Sequence, residues 1–265
     1  MKLLFIGIGN MGGAILKSVL AAPGDGKYEI FVADKSEEAV NAMRRFGEFS
    51  VFQKGDLEGM GMIFLGVKPV HVETAIAEHL TGLGEGQIVV SMAAGVTLAK
   101  LEALLGASKK IVRIMPNMPI VVGEGMTSLT PNSNVSNADL DAVRAILERN
   151  ARCRVIHEDM IHGFIGMAGS SPAFVFMFLE AMADAGEKFG ISREEALLFA
   201  SQSLKGSAKL YQETHNSPVD LRESICSPGG TTIEGVRSLE ADGFKEIIIR
   251  AVTKTVEKSI KMSEA

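Results

Sequence analysis

Two segments of this 265-residue chain combine residue types that suit small-molecule chemistry. The later one is Ser227-Pro228-Gly229-Gly230-Thr231-Thr232, followed by Ile233, Val236 and Leu239 at helical spacing, which predicts a tight loop that opens a helix. Because N–H groups at a helix N-terminus favour negative charge and glycine permits close approach, this loop suits a small carboxylate with a neighbouring nitrogen. An ordinary helix cap is the alternative interpretation.

The earlier segment, Gly7-Ile8-Gly9-Asn10-Met11-Gly12, matches the G-x-G-x-x-G pattern between an apolar run and an amphipathic stretch. In this pattern the first glycine permits a tight turn, the second admits a pyrophosphate, and the third lets helix and strand pack closely. The pyrophosphate would lie at the helix N-terminus. The sequence therefore predicts a dinucleotide site.

Asp34 ends the second apolar run, where an acidic residue accepts a hydrogen bond from the ribose 2′-hydroxyl of NADH. Capping of the following helix is another role open to Asp34. Lys35 and Ser36 come next and could hold the 2′-phosphate of NADPH instead. The choice of nucleotide stays open at this point.

Three further turns follow apolar runs, at Val67-Lys68-Pro69, at Ala93-Ala94-Gly95 and from Met115 to Pro119. Ligands of open parallel sheets bind beyond the carboxyl ends of the strands, so we expect these turns to surround the ribose and nicotinamide. For Lys68 we expect contact with the cofactor ribose or support of its turn rather than a catalytic role.

Apolar runs and amphipathic stretches alternate from residue 1 to about residue 157. The apolar runs are 3–6, 30–33, 62–65, 88–90 and 111–114, and the amphipathic stretches include 14–20, 37–46 and 98–105. Continuous apolar runs of this length suit strands covered on both faces of a parallel sheet. The pattern predicts an α/β fold with a Rossmann-type doubly wound sheet in residues 1–158.

The strand signal ends near residue 160, and the stretches 174–189, 193–211 and 244–262 all predict helices. Ser192 and Glu195 form a capping-box pattern before the second of them. We therefore expect residues 159–265 to form an all-α dimerisation and substrate domain. Residues 174–179 are apolar on every side of a helix, and a second subunit would cover them more easily than so small a domain alone.

Composition argues against several classes of partner. A net charge of −5 and the lack of a basic run disfavour nucleic acid and anionic membranes. The longest apolar run, 172–179, is too short to span a bilayer, and the N-terminal run is too short for a signal peptide. The two cysteines suggest no disulfide framework, which is typical of a protein in the reducing cytoplasm. The five histidines lack metal-ligand spacing, so no metal site is expected. We expect a soluble cytoplasmic protein.

The motifs GIGNMGGAI, VKP, SMAAGV and RIMPNMP, with GSSPAFVF, EAMADAG and LRESICSPGGTTIEGV, resemble the Δ1-pyrroline-5-carboxylate reductase family over essentially the whole chain. The resemblance implies a Rossmann domain, a helical dimerisation domain, an active site shared between subunits and, in many members, assemblies of dimers. It implies hydride transfer from NADPH or NADH to the C=N carbon of 1-pyrroline-5-carboxylate, giving L-proline in the final step of proline biosynthesis.

The resemblance also assigns roles to individual residues. Ser227 and the backbone at Gly230 and Thr231 would hold the substrate carboxylate, with the Thr232 hydroxyl facing the ring nitrogen and Glu158 at an acidic position near the substrate. An unperturbed hydroxyl is a poor general acid, so Thr232 is expected to orient the substrate. The implied cofactor residues are Gly7, Ile8, Gly9, Asn10, Met11 and Gly12 for the pyrophosphate, Val67, Lys68, Ala94 and Asn117 for the ribose and nicotinamide, and Gln53 in place of a common asparagine.

This chain departs from the usual family pattern at four positions. Ser171 and Phe174 replace a glycine and a tyrosine, Ile165 replaces a frequent threonine, and Cys226 replaces a threonine or serine. These changes bear on substrate geometry rather than on the class of reaction.

Three alternatives remain. A β-hydroxyacid dehydrogenase-like oxidoreductase shares the two-part layout, but Lys205 and Lys209 lack the asparagine partner of its G-x-x-x-K-x-x-x-N helix. A coenzyme F420-dependent NADP reductase is a more remote relative. A non-catalytic dinucleotide-binding sensor would not need the loop at residues 227–232.

Overall fold

The computed structural model describes residues 1–21 and 28–263. The chain divides into two units: unit 1 comprises Met1–Gly169 and Thr255–Ala265, and unit 2 comprises Ser170–Lys254. The domain boundary expected after residue 158 stays a prediction.

One eight-stranded sheet forms the centre of unit 1, in the spatial order β3-β2-β1-β4-β5-β6-β7-β8. Neighbouring strands are parallel except β6 and β7, which are antiparallel. The order reverses between β1 and β4, which is the switch point where open α/β sheets bind ligands. The strands are β1 (Lys2–Ile6), β2 (Glu29–Ala33), β3 (Ser50–Val51), β4 (Met60–Leu65), β5 (Ile88–Ser91), β6 (Lys110–Pro116), β7 (Gly125–Pro131) and β8 (Ala151–Val155).

Helices cover both faces of this sheet, as the continuous apolar runs predicted. Because side chains alternate along a strand, Leu3 and Phe5 of β1 pack with α1 and α5, while Leu4 and Ile6 pack with α3 and α4. The Phe5 and Phe64 rings stack with centroids 4.7 Å apart. The helices of unit 1 are α1 (Asn10–Ala21), α2 (Glu37–Met43), α3 (Val72–His79), α4 (Leu98–Leu105), α5 (Asn137–Leu147) and the short α6 (Ile161–Phe164), which continues as a π-helix over Ile165–Gly169.

The sheet extends beyond the five strands that the apolar runs predicted. β3, β7 and β8 were missed, and β7 corrects the expectation of a purely parallel sheet. β7 buries three hydroxyl side chains, those of Thr127, Ser128 and Thr130, so it lacks the apolar signal of a central strand. In β8, exposed arginines alternate with buried Ala151 and Cys153, which is the period of a half-covered strand.

Unit 2 is built from helices alone within the described residues, as the sequence predicted. They are α7 (Ser171–Lys188), α8 (Arg193–Thr214), α9 (Pro218–Ile225), α10 (Thr231–Ala241) and α11 (Phe244–Ser263), whose last residues belong to unit 1. The Ser192 hydroxyl oxygen accepts from the Glu195 backbone N–H at 3.3 Å, and so caps α8 as predicted.

Small residues allow α7 and α8 to approach each other closely. Ala183 of α7 and Ala196 and Ala200 of α8 are buried, and a Cβ at Gly186 would lie 2.7 Å from the Ala196 Cβ. These small side chains leave the larger apolar side chains of both helices exposed in a single chain.

Candidate functional site

The turn between β1 and α1 depends on three glycines with different surroundings. Gly7 has φ +84°, and a Cβ there would lie 2.8 Å from the Val67 nitrogen. A Cβ at Gly12 would collide with the Gly7 carbonyl oxygen. A Cβ at Gly9 would meet no atom within 4 Å. The first and third glycines are therefore required by packing, whereas the second leaves the backbone open to a ligand.

A cleft of about 340 Å³ lies at the switch point of the sheet. Its walls come from the carboxyl ends of β1, β2 and β4 and from α3. Six of the residues proposed from sequence line it together: Gly7, Gly9, Asp34, Lys35, Val67 and Lys68. This volume and the open backbone at Gly9 fit part of an extended dinucleotide.

The cleft also contains residues that the sequence did not single out. They come from the segment that follows the Val67-Lys68-Pro69 turn, and they are His71, Thr74, Ala75, Glu78 and His79. All but His79 recur at the spacing of one helix face. That spacing, directly after a turn already assigned to the cofactor, is the signal that could have identified them.

The Asp34 carboxylate ties the glycine turn to the end of β2. Its Oδ2 accepts from the Ile8 backbone N–H at 2.7 Å, and its Oδ1 accepts from the Ser36 N–H at 2.8 Å. The alternative capping role for Asp34 is wrong, because Ser36 is the N-cap of α2 and its Oγ accepts from the Ala39 N–H at 3.1 Å. Each carboxylate oxygen has two lone pairs, so Asp34 can still accept from a ribose hydroxyl.

None of the other residues that the resemblance assigned to the cofactor is among the described residues that line this cleft. Ile8 lies in the glycine turn, and Asn10 and Met11 form the first turn of α1. Among the described residues, Gln53 and Ala94 are not part of the cleft lining; Gln53 caps the 3-10 turn Lys54–Gly59. Their contacts with the cofactor stay predictions.

Asn117 has a structural role that the sequence did not predict. Its Nδ2 donates to the Ala168 carbonyl at 2.9 Å, and its Oδ1 accepts from the Met126 N–H at 2.8 Å. The buried amide thus joins the end of β6 to β7 and to the π-helix. Its proposed contact with the nicotinamide stays a prediction.

Glu158 neutralises a buried arginine. Its Oε1 accepts from Arg113 Nη1 at 2.7 Å and from the Leu98 N–H, in the first turn of α4, at 2.8 Å. Arg113 is 1% exposed, and its Nε and Nη2 have no hydrogen-bond partner among the described residues. Because a buried cation without its counter-ion is strongly destabilising, Glu158 stabilises this part of unit 1. Its place near the substrate stays a prediction.

Unit 2 contains the loop proposed to bind the substrate. Gly229 has φ +67°, the Gly230 N–H donates to the Ser227 carbonyl at 3.0 Å, and Gly230 is the N-cap of α10. No side chain caps this helix, so Thr231 and Thr232 begin α10 with the backbone donors of its first turn available to an anion. The loop therefore has the form that the sequence predicted.

The four departures from the family pattern lie at element boundaries. Ile165 begins the π-helix, Ser171 begins α7 with Phe174 in its first turn, and Cys226 is the C-cap of α9 and half-buried. Nothing in the structure explains why Ser171 and Phe174 stand where the family usually has glycine and tyrosine.

An open sheet with a glycine-lined turn and an acidic strand end at its switch point is characteristic of dinucleotide-binding α/β proteins, and this chain is of that class. Residues 158–262 match the family model for pyrroline-5-carboxylate reductase dimerisation. Residues 2–95 match the model for coenzyme F420-dependent NADP oxidoreductases.

Relatives over the full length narrow the class further. The chain is 44% identical over 266 residues to the pyrroline-5-carboxylate reductase of Escherichia coli (strain K12), covering 100% of this chain and 99% of that one. The structure of a pyrroline-5-carboxylate reductase from Coxiella burnetii matches with a TM-score of 0.91 and 30% identity, covering 99% of this chain and 98% of that one. The Plasmodium falciparum enzyme with NADP bound matches with a TM-score of 0.86, 29% identity and the same coverage. The chain belongs to the pyrroline-5-carboxylate reductase family.

Alanine substitutions at Gly9 and Gly12 should have different effects. Gly9→Ala should keep the wild-type melting temperature but weaken NADH and NADPH binding about tenfold, since the new methyl group occupies the open approach to the backbone. Gly12→Ala should lower the melting temperature, because its Cβ collides with the Gly7 carbonyl. Nucleotide titration and thermal melting measure the two effects, and wild-type nucleotide affinity in Gly9→Ala would contradict this account.

Removal of the Glu158 side chain should destabilise the protein. Glu158→Ala leaves the Arg113 charge buried and unpaired, and should cost about 3 kcal/mol in urea unfolding at fixed protein concentration. Glu85→Ala, at an exposed loop carboxylate, is the control and should change stability little. If Glu158→Ala has wild-type stability and only its KM for substrate rises, Glu158 acts on the substrate and not on Arg113.

Proposed function

We propose that this chain reduces 1-pyrroline-5-carboxylate to L-proline with NADH or NADPH as the hydride donor. The observation that carries the proposal is the presence of both required parts in one family member. These are the glycine-lined cleft of unit 1 and the uncapped, glycine-initiated helix α10 of unit 2. A cofactor cleft alone would fit many reductases, whereas the loop before α10 suits a small anionic substrate.

The cofactor and the protein have separate tasks in this reaction. When bound, reduced nicotinamide supplies the hydride. The chain positions the imine so that its C=N carbon accepts the hydride while the electron pair of the double bond moves to the nitrogen. A protonated imine accepts hydride more readily, and the product is then the secondary amine of L-proline.

The loop before α10 can hold the substrate by its carboxylate. The backbone N–H groups at Gly230 and Thr231 and the Ser227 hydroxyl are the donors we assign to that carboxylate. The Thr232 hydroxyl is assigned to the ring nitrogen: its oxygen accepts from the N–H of the protonated imine, and this hydrogen bond orients the substrate. A hydroxyl with an ordinary pKa is a weak acid, so we assign Thr232 no proton transfer.

A steady-state assay tests the reaction directly. Oxidation of NADH and of NADPH is followed with 1-pyrroline-5-carboxylate. Separately, reduction of NAD+ and of NADP+ is followed with a panel of 3-hydroxy acids. We expect turnover with the cyclic imine and none with the hydroxy acids. Turnover of a hydroxy acid alone would instead favour a β-hydroxyacid dehydrogenase, and turnover of neither class would favour a nucleotide sensor.

Removal of the Thr232 hydroxyl should slow the reaction without unfolding the protein. Thr232 is exposed in a single chain, and bound substrate would shield its hydroxyl from water. Thr232→Ala should then lose about 1–3 kcal/mol of transition-state stabilisation in kcat/KM, the range for a lost hydrogen bond that is shielded from water. Thr232→Ser retains the hydroxyl and is the matched control. An unchanged kcat/KM in Thr232→Ala would remove Thr232 from the site.

The protein is further proposed to act as a homodimer or a larger assembly of dimers. Phe176 and Met177 of α7 are 59% and 67% exposed in a single chain, and α8 and α11 also expose large apolar side chains. By length and composition alone, the helical run Glu158–Lys188 could cross a bilayer. This run lies within residues 158–262, which match the dimerisation model. We therefore propose that a second copy of this chain, and not lipid, covers its exposed apolar side chains.

Light scattering after gel filtration, without detergent, tests this assignment. The wild-type chain should elute as a dimer or a multiple of it. Phe176→Asp should shift it towards monomer, because a charge on a face that the second copy covers is costly. Val51→Asp, on the two-residue edge strand β3, is the control and should leave the assembly intact. A wild-type protein that needs detergent to stay dispersed would favour a membrane-bound protein instead.

We assign the protein to the cytoplasm, without nucleic-acid partners. Cys153 and Cys226 are free thiols, and burial together with the nearby Glu148 raises the pKa of Cys153 to about 11. Such a thiol stays protonated at neutral pH. Two free cysteines, with no disulfide among the described residues, suit a reducing compartment. The net charge of −5 disfavours a polyanionic partner.

A further inference from the structure

Three charged side chains lie together at the end of the cleft formed by β2. Asp34 and Lys35 follow β2 directly, and Glu78 reaches them from the last turn of α3. The Lys35 Nζ lies 3.6 Å from the Glu78 Oε2. This is the part of a dinucleotide site that meets the adenosine ribose, where the 2′-hydroxyl of NADH and the 2′-phosphate of NADPH differ.

The Asp34 carboxylate is held in place by backbone donors. Because the Ile8 and Ser36 N–H groups each bind one of its oxygens, the carboxylate cannot turn away from the cleft without losing both hydrogen bonds. A 2′-hydroxyl would donate to it, whereas a 2′-phosphate has no proton to donate at pH 7 when doubly charged and would meet a fixed negative charge.

The two residues that could favour a 2′-phosphate each have a partner within the chain, although Lys35 is 81% exposed in its pair with Glu78. Ser36 gives its N–H to Asp34 and accepts the Ala39 N–H with its hydroxyl, and it is not among the described residues that line the cleft. Lys35 faces Glu78, so its positive charge is offset within the same group. Asp34, Lys35 and Glu78 together carry one net negative charge.

One further cation, Lys54, acts on the His79 ring, but it is not among the described residues that line the cleft. Burial is the main cause that lowers the pKa of His79, so this ring is neutral at pH 7. α3 also ends here, and the carbonyl groups of a helix C-terminus repel anions. Lys68 and His71 also line the cleft, but they come from the segment after β4. β4 lies two strands from β2, so the backbones of these two strands are about 10 Å apart.

We propose that this site selects NADH over NADPH and that Asp34 and Glu78 set the preference. The proposal rests on the reductase function proposed above and specifies its electron donor. A 2′-phosphate, with about two negative charges at neutral pH, would be placed among two carboxylates and a helix C-terminus with one lysine to offset them. The family relative from Plasmodium falciparum holds NADP, so the preference is a property of these residues and not of the fold.

Direct binding of NADH and of NADPH, without substrate, tests the preference independently of turnover. The chain has no tryptophan, so the change in nicotinamide fluorescence or the heat of binding is the readout. We expect NADH to bind at least about tenfold more tightly than NADPH at low salt. Added salt should reduce the difference between the two affinities, because it screens the repulsion between the 2′-phosphate and the carboxylates.

Two substitutions separate the selective groups from the framework. Glu78→Gln touches no atom of the glycine turn, and should raise NADPH affinity several-fold while leaving NADH affinity unchanged. Asp34→Asn should weaken NADH and strengthen NADPH, changing the ratio of affinities by about tenfold. Glu73→Gln, on the same helix but lining a different groove, is the matched control and should change neither affinity.

The outcomes distinguish this inference from the function on which it rests. Equal or tighter binding of NADPH by the wild-type chain would overturn the inference and leave the reductase function standing. An equal loss of affinity for NADH and for NADPH in Glu78→Gln would also overturn the inference, since that result would give Glu78 a structural role. Failure of the wild-type chain to bind either nucleotide would remove the reductase function as well.

Discussion

The close approach of the glycine turn to its neighbours is the constraint on which the rest of the cofactor site depends. The Gly7 carbonyl occupies space that a Cβ at Gly12 or Gly66 would need, so the turn, α1 and the end of β4 can meet only without side chains. The close approach of Gly7 and Gly12 places the start of α1 against the sheet, and the backbone at Gly9 stays accessible to a ligand. It also places the Ile8 N–H within reach of Asp34, so one packing requirement defines both the pyrophosphate and the ribose ends of the cleft.

The two units contribute different kinds of recognition. Unit 1 offers an open backbone at Gly9 and the charges of Asp34, Lys35 and Glu78, to which we assign the discrimination between NADH and NADPH. Unit 2 offers the first turn of α10, where backbone donors suit any small carboxylate, and the hydroxyls of Ser227 and Thr232 narrow the choice. The exposed apolar faces of α7 and α8 explain why the second unit needs a partner subunit.

Much of the fold could be predicted because the central strands are apolar on both sides. β7 could not, since its buried Thr127, Ser128 and Thr130 resemble a loop in composition. The glycine turn and the loop before α10 were predictable because their chemistry is local in sequence. The Arg113–Glu158 ion pair joins residues 45 positions apart, and Glu78 meets Lys35 only after α3 packs on the sheet; no local pattern carries either contact.

Transfer of a labelled hydride tests the central claim most directly. Reduced nicotinamide nucleotide deuterated on the transferred position of its ring is incubated with the chain and 1-pyrroline-5-carboxylate, and the proline formed is analysed by mass spectrometry and NMR. The account predicts L-proline with a single deuterium on the ring carbon that had been double-bonded to nitrogen. Proline without deuterium at that carbon, or no proline at all, would contradict it.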